Sequence, residues 1–141
     1  SGPGITKLLT AHWNNNQQPH EIENILIGDD AEKLKKIIEK YRHETDFIFT
    51  TGGTGIGPKD ITTDTVKPLL DLEVPGIMDY IRLKYGEKNP NALISRSIAG
   101  VSGNALIFTL PGSWNAVNEY ITEIGKVMNH LILMLHEIDA H

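Results

Sequence analysis

The chain has 141 residues, 40% hydrophobic and 22% charged, with no cysteine and a formal charge of −5 at pH 7. That balance suits one soluble domain over 1–141 with a single core; it excludes disulfides and thiolate chemistry and leaves no excess positive charge for a general nucleic-acid binder. The longest apolar run, residues 131–135, is far too short to cross a bilayer, so no membrane contact is expected and a cytoplasmic setting is the default.

In chain order, residues 4–13 place Ile5, Leu8, Leu9 and His12 at helical spacing, and the polar residues 14–19 then read as a loop. Residues 22–27 read as a strand, Asp29 and Asp30 as an acidic turn, and Leu34, Ile37, Ile38 and Tyr41 as the apolar face of a helix. Residues 46–51 form the next expected strand, apolar enough to be buried on both faces. It empties into Gly52-Gly53-Thr54-Gly55-Ile56-Gly57. Thr62 or Thr63 is expected to cap a helix carrying Val66, Leu69 and Leu70, and Pro75 to open another carrying Ile77, Met78, Ile81 and Leu83. A hairpin over residues 97–110 turns at Ser102-Gly103-Asn104 and ends at Pro111-Gly112-Ser113. From Trp114 onward Val117, Ile121, Ile124, Val127, Met128, Leu131, Leu135 and Ile138 mark one long amphipathic helix. Strand and helix alternate, which predicts an α/β fold: a doubly wound, mostly parallel sheet with helices on both faces, binding ligands at the carboxyl ends of its strands. Asp29, the Gly52 loop and the 111–113 turn all lie at such ends.

The glycine loop either reverses the chain or cradles an anion, since glycine backbone approaches a ligand closely and Thr50, Thr51 and Thr54 add hydroxyls. It lacks the ending of a P-loop and does not fit a dinucleotide fingerprint. Asp29 and Asp30 serve as helix-capping acids, or Asp29 and Asp60 face one crevice and carry Mg²⁺. Ser95-Arg96 is a surface pair, or a hydroxyl and a guanidinium reaching a phosphate or a heterocycle edge. His136, Glu137 and His141 approximate a zinc-protease helix with the second histidine one residue too late, which argues against a metal there. Trp114 is read as a packing anchor before a lid, and the apolar run in the last helix as a buried face or a subunit contact.

Thr50-Thr51-Gly52-Gly53-Thr54-Gly55-Ile56-Gly57-Pro58-Lys59-Asp60-Ile61-Thr62, followed by Pro75-Gly76, Ser95-Arg96, Gly100, Gly103 and Leu110-Pro111-Gly112, resembles the molybdopterin adenylyltransferase family of molybdenum cofactor biosynthesis (MogA/MoaB-like and gephyrin G-domain-like). The resemblance runs through nearly the whole chain. It implies a homotrimer using Mg²⁺, ATP and molybdopterin, transferring AMP to the terminal phosphate of molybdopterin and releasing pyrophosphate; fusion to, or partnership with, a molybdenum-insertion domain stays open. Residue by residue, it implies phosphate binding by Thr51, Gly52, Gly53, Thr54 and Gly55, nucleotide activation and Mg²⁺ binding by Asp29 and Asp60, a pterin contact from Ser95, and pocket closure by Gly112 and Ser113. The family usually opens with a further mid-sheet strand ending in a Ser-Asp turn, which would precede Ser1. Gly28-Asp29, Lys59-Asp60, Thr109 and Tyr85 replace the usual Pro-Asp, Arg-Asp, Asn and small hydroxyl residue. Two other readings remain: a non-catalytic molybdopterin-binding or scaffold module of the same fold, and a phosphatase or nucleotide hydrolase using the same cradle.

Overall fold

The computed structural model describes residues 2–16 and 20–137; the expectations placed on residues 17–19, Ile138 and His141 lie outside them. Among the described residues six α-helices and four strands follow in order: α1 (Gly2–Asn15), α2 (Ala31–Tyr41), β1 (Phe47–Thr51), α3 (Thr62–Val66), β2 (Leu72–Glu73), α4 (Pro75–Gly86), β3 (Ala99–Ser102), β4 (Ala105–Leu110), α5 (Trp114–Gly125) and α6 (Met128–Leu135). One sheet runs β1-β4-β3-β2. β1 lies parallel to β4, from Phe47 opposite Leu106 to Thr51 opposite Leu110, while β4–β3 and β3–β2 are antiparallel. The α/β class stands, and among the described strands the parallel contact is the one that brings two carboxyl ends together.

β4 is buried along its whole length, and its alternating side chains serve two cores. Leu106, Phe108 and Leu110 join Ile5, Leu9 and Trp13 of α1, Met78 and Ile81 of α4, Val117, Ile121 and Ile124 of α5, and Met128 of α6. Ile107 turns the other way, to Leu34 and Ile38 of α2 and Val66 of α3. Helices therefore cover both faces. Full burial of side chains such as Phe108 and Ile38 contributes about 1.5–3 kcal/mol each.

Several expectations are corrected. Residues 22–27 form no strand, although Ile22 packs on one core and Ile27 on the other; among the described residues no strand lies beside them, and a ladder needs a neighbour about 4.8 Å away. Leu26 is consequently 94% exposed. β1 is half-buried rather than enclosed, for the same reason: β4 is its described partner. Neither Thr62 nor Thr63 caps α3; both are buried in its first turn, and Pro68 follows in a 3₁₀ turn over Lys67–Leu69. The expected long C-terminal helix is two. α5 ends at Gly125, a poor helix former whose added Cβ would sit 3.0 Å from His12 Nδ1, and the turn tightens through Lys126 N–H to Glu123 O and Val127 N–H to Ile124 O before α6 restarts. β2, too short to register as a pattern, was not expected.

α4 and α5 are joined by one buried carboxylate. Glu123 accepts from Lys84 Nζ at 2.8 Å, Tyr85 Oη at 2.6 Å and Lys126 Nζ at 2.7 Å. Tyr85 is thereby committed to the α4–α5 seam, and burial together with the Glu123 bond pushes its hydroxyl up to about 12. Burial pushes the Glu123 carboxyl up, but the donors from Lys126, Lys84 and Tyr85 outweigh it and bring it from 4.5 down to about 2. A depressed folded-state value means stability that is fully present above pH 4.5 and lost as pH falls toward about 2. Glu123→Gln should cost about 1–3 kcal/mol at neutral pH, moderated because both lysines regain water, and should flatten the acid limb of an unfolding-midpoint profile across that window. A variant with the parental acid limb would contradict the role given to Glu123.

Candidate functional site

Because β1 and β4 run the same way, their carboxyl ends finish side by side. The ladder continues one residue further, with Gly52 N–H donating to Leu110 O at 2.8 Å, and a Cβ on Gly112 would lie 3.4 Å from Gly52 Cα. The glycine loop and the Pro111-Gly112 turn are thus neighbours. Gly52 and Gly53 take φ of +90° and +72°, in the region that favours glycine, so neither position suits a side chain. Gly53 is also crowded: an added Cβ would collide with the Thr62 hydroxyl, because Thr62 N–H returns to Gly53 O at 3.0 Å.

Two clefts flank this loop. The smaller, about 320 Å³, is lined by Gly52, Gly53, Thr54, Gly55, Asp60, Asn91, Ile94, Ser95, Pro111 and Gly112. The larger, about 670 Å³, is lined by Ala31, Ile56, Gly57, Pro58, Asp60, Ile61, Asp64, Thr65 and Arg96. Asp60 lines both. Its Oδ2 accepts from Gly57 N–H at 2.8 Å, which anchors the carboxylate against the loop. Gly55 makes that placement possible, since a Cβ there would lie 2.8 Å from the same oxygen.

Ser95 closes the smaller cleft from the far side, its Oγ 3.4 Å from Thr54 Oγ1 and 3.0 Å from Ser97 Oγ. Arg82 of α4 fixes this segment, donating to Ser95 O and Ser97 O while paired with Asp79. Arg96 bonds the carboxylate of Asp64, which holds that carboxyl below its usual range.

The structure thus brings Gly52, Gly53, Thr54, Gly55, Asp60, Ser95 and Gly112 to one cleft. It does not bring all the expected residues there. Thr51 ends β1 without lining either cleft. Ser113 is exposed and caps α5, its Oγ accepting from Ala116 N–H at 3.2 Å. Asp29 is exposed at the approach to α2, two residues before Ala31 of the larger cleft, while Asp30 is the cap, accepting from Lys33 N–H at 3.1 Å. Thr50 Oγ1 is buried away from the clefts without a described partner. Trp114 is half exposed with its ring against Gly4, as a packing anchor. His136 approaches Asp46 at 3.6 Å. Thr109 is fully buried, its Oγ1 accepting from Ile98 N–H at 2.8 Å, a sheet contact.

Asn91, Ile94 and Arg82 were missed, because nothing local marks them; they reach the site through the fold of α4 and the 3₁₀ turn over Pro90–Ile94. Among the described residues no group of three or more His, Cys, Asp or Glu could hold a metal. Of the two carboxylates expected to hold Mg²⁺, Asp60 lines both clefts and Asp29 lines neither; Mg²⁺ takes as few as one or two carboxylates and completes its shell with phosphates and water. No described helix is long and apolar enough to cross a membrane.

The family model described as "Probable molybdopterin binding domain" matches residues 3–130. "Molybdenum cofactor biosynthesis protein B" of Staphylococcus carnosus is 36% identical over 141 residues, 97% of this chain and 80% of that one. "Molybdenum cofactor synthesis protein cinnamon" of Drosophila melanogaster is 34% identical over 137 residues, which are 96% of this chain but 22% of that protein. Among solved structures, a molybdopterin biosynthesis protein from Mycobacterium abscessus superposes with a TM-score of 0.85 at 27% identity, covering 97% of this chain and 85% of that one. The Mog protein from Mycobacterium ulcerans does so at 0.79 and 31%, covering 96% and 86%.

Gly52→Ala meets open space and only the cost of positive φ, whereas Gly53→Ala meets Thr62 as well. Urea unfolding should show losses of about 1 kcal/mol for the first and about 2–4 kcal/mol for the second. Equal losses would contradict the crowding at Gly53.

Proposed function

The chain belongs to the molybdopterin-binding domain family whose members act in molybdenum cofactor biosynthesis, and from that premise we propose that it is a molybdopterin adenylyltransferase, transferring AMP from ATP to the terminal phosphate of molybdopterin. The observation that carries this reading is Asp60, one carboxylate lining two clefts that flank the glycine loop. The smaller offers glycine backbone and the hydroxyls of Thr54 and Ser95, suited to an anionic pterin phosphate. The larger has a mixed lining, Ala31, Ile56, Pro58 and Ile61 with Asp64, Thr65 and Arg96, and its apolar side chains are suited to the flat base of a nucleotide.

Adenylyl transfer is an in-line displacement at phosphorus in which the pterin phosphate oxygen forms the new bond and pyrophosphate leaves, so no covalent protein nucleophile is needed. The protein's part is to hold two anions within bonding distance, which alone can supply several kcal/mol. Asp60, with Asp29, would hold the Mg²⁺ that accompanies ATP; bound there, the ion neutralises phosphate charge. Gly52 to Gly55 and Ser95 orient the acceptor phosphate, and Gly112 keeps the neighbouring turn close enough to wall the cleft. Lys59, fully outside both clefts, supplies no bidentate contact there. A homotrimer belongs to the same reading, with exposed Leu72, Leu83, Leu93 and Met134 as apolar surface available to subunit contacts.

Incubated with molybdopterin, ATP and Mg²⁺, the protein should yield adenylated molybdopterin and pyrophosphate in equal amounts. Asp60→Asn should lower the rate at least about 100-fold with the fold intact. Binding of molybdopterin without either product would leave a scaffold module, and ADP or orthophosphate released without pterin would make the cradle a hydrolase; both outcomes reject the proposal.

A further inference from the structure

Ser95 and Arg96 are consecutive residues, with Ser95 in extended conformation, so their side chains leave on opposite sides: Ser95 into the smaller cleft and Arg96 into the larger. A guanidinium beside a phosphate cradle invites assignment as an anion ligand. Its bonding argues otherwise. Nε donates to Gly55 O at 2.9 Å, the terminal nitrogens reach the two Asp64 oxygens at 3.0 and 3.3 Å, and one of them approaches Asp60 O at 3.5 Å. Four of its five donors are directed at protein oxygens, and the Asp64 carboxylate cancels its charge, which leaves little attraction for a phosphate.

The backbone of Arg96 is tied to the same loop. Its N–H donates to Thr54 O at 2.8 Å, and its carbonyl accepts from Thr63 Oγ1 at 2.9 Å. The loop is therefore clamped on its outer side at Thr54, Gly55 and Asp60, and the clamp is anchored in α3 through Asp64. We propose that Arg96 is a positioning residue: held by Asp64, it fixes the exit of the glycine loop and so places the Asp60 carboxylate between the two clefts, without itself touching substrate. This rests on the adenylyltransferase reading for its consequence in catalysis, and on geometry alone for the clamp. Lysine cannot substitute, because it keeps the charge but has a single nitrogen and loses the planar fork that spans Gly55 and Asp64 at once.

The test compares the intact protein with Arg96→Lys and Asp64→Asn. Amide hydrogen exchange at Gly57, Asp60 and Ile61 should accelerate about tenfold or more in Arg96→Lys and less in Asp64→Asn, with β4 amides unchanged and the unfolding midpoint within about 3 °C of the parent, since the ion pair is exposed. In the transfer assay Arg96→Lys should lower kcat about tenfold or more while the KM for ATP and for molybdopterin changes less than about twofold. Unchanged loop exchange overturns the clamp whatever the assay shows. Loosened exchange with unchanged kcat, or a raised KM with parental kcat, overturns the positioning role, the latter by making Arg96 a direct ligand. Should the parent protein form no adenylated pterin, the functional reading falls, and the exchange measurement alone decides the clamp.

Discussion

The parallel pairing of β1 with β4 is the constraint on which the rest depends. It carries Gly52 N–H to Leu110 O and so sets the glycine loop beside the Pro111-Gly112 turn. Were the strands antiparallel, the loop after β1 would face the start of β4 and the hairpin at Gly103. The pairing holds because β4 is buried on both faces: Leu106, Phe108 and Leu110 are gripped by four helices on one side, and Ile107 by α2 and α3 on the other. Shifting the register by one residue would exchange these sets and put each against the wrong helices.

From that junction the site follows by local steps. Positive φ at Gly52 and Gly53 turns the chain out of the sheet, Thr62 ties the loop back, and the small volume at Gly55 lets the Asp60 carboxylate fold in against Gly57 N–H. On the far wall, Arg82 holds the carbonyls of Ser95 and Ser97, so the Ser95 hydroxyl comes from a segment fixed by α4 rather than from a free loop. A hydroxyl and a carboxylate placed by such contacts are held in position by the fold itself.

Much of this was legible in the sequence, and the residues show why. Glycines at 52, 53 and 55 after an apolar strand announce a backbone cradle, and Gly103-Asn104 between β-prone arms announces a hairpin, because both signals are local. Residues 22–27 misled for the opposite reason: their composition is strand-like, but a strand exists only by virtue of its neighbour. The close approach of His12 to Gly125, where α5 ends, joins residues more than a hundred positions apart, and the pairing of Arg96 with Asp64 and Gly55 depends on the fold of α3. Ser113, read as part of the pocket, proved to be occupied as the cap of α5.

The central claim is that Gly52, Gly53, Thr54 and Gly55, with Ser95 opposite, form the floor on which a molybdopterin phosphate rests. Titrating isotope-labelled protein with molybdopterin and following backbone amide resonances tests it most directly. The account predicts saturable shifts that are largest at Gly52 to Gly55 and Ser95, smaller at Gly112, and negligible along α6. Saturable shifts centred elsewhere, with the glycine-loop amides unmoved, would contradict it.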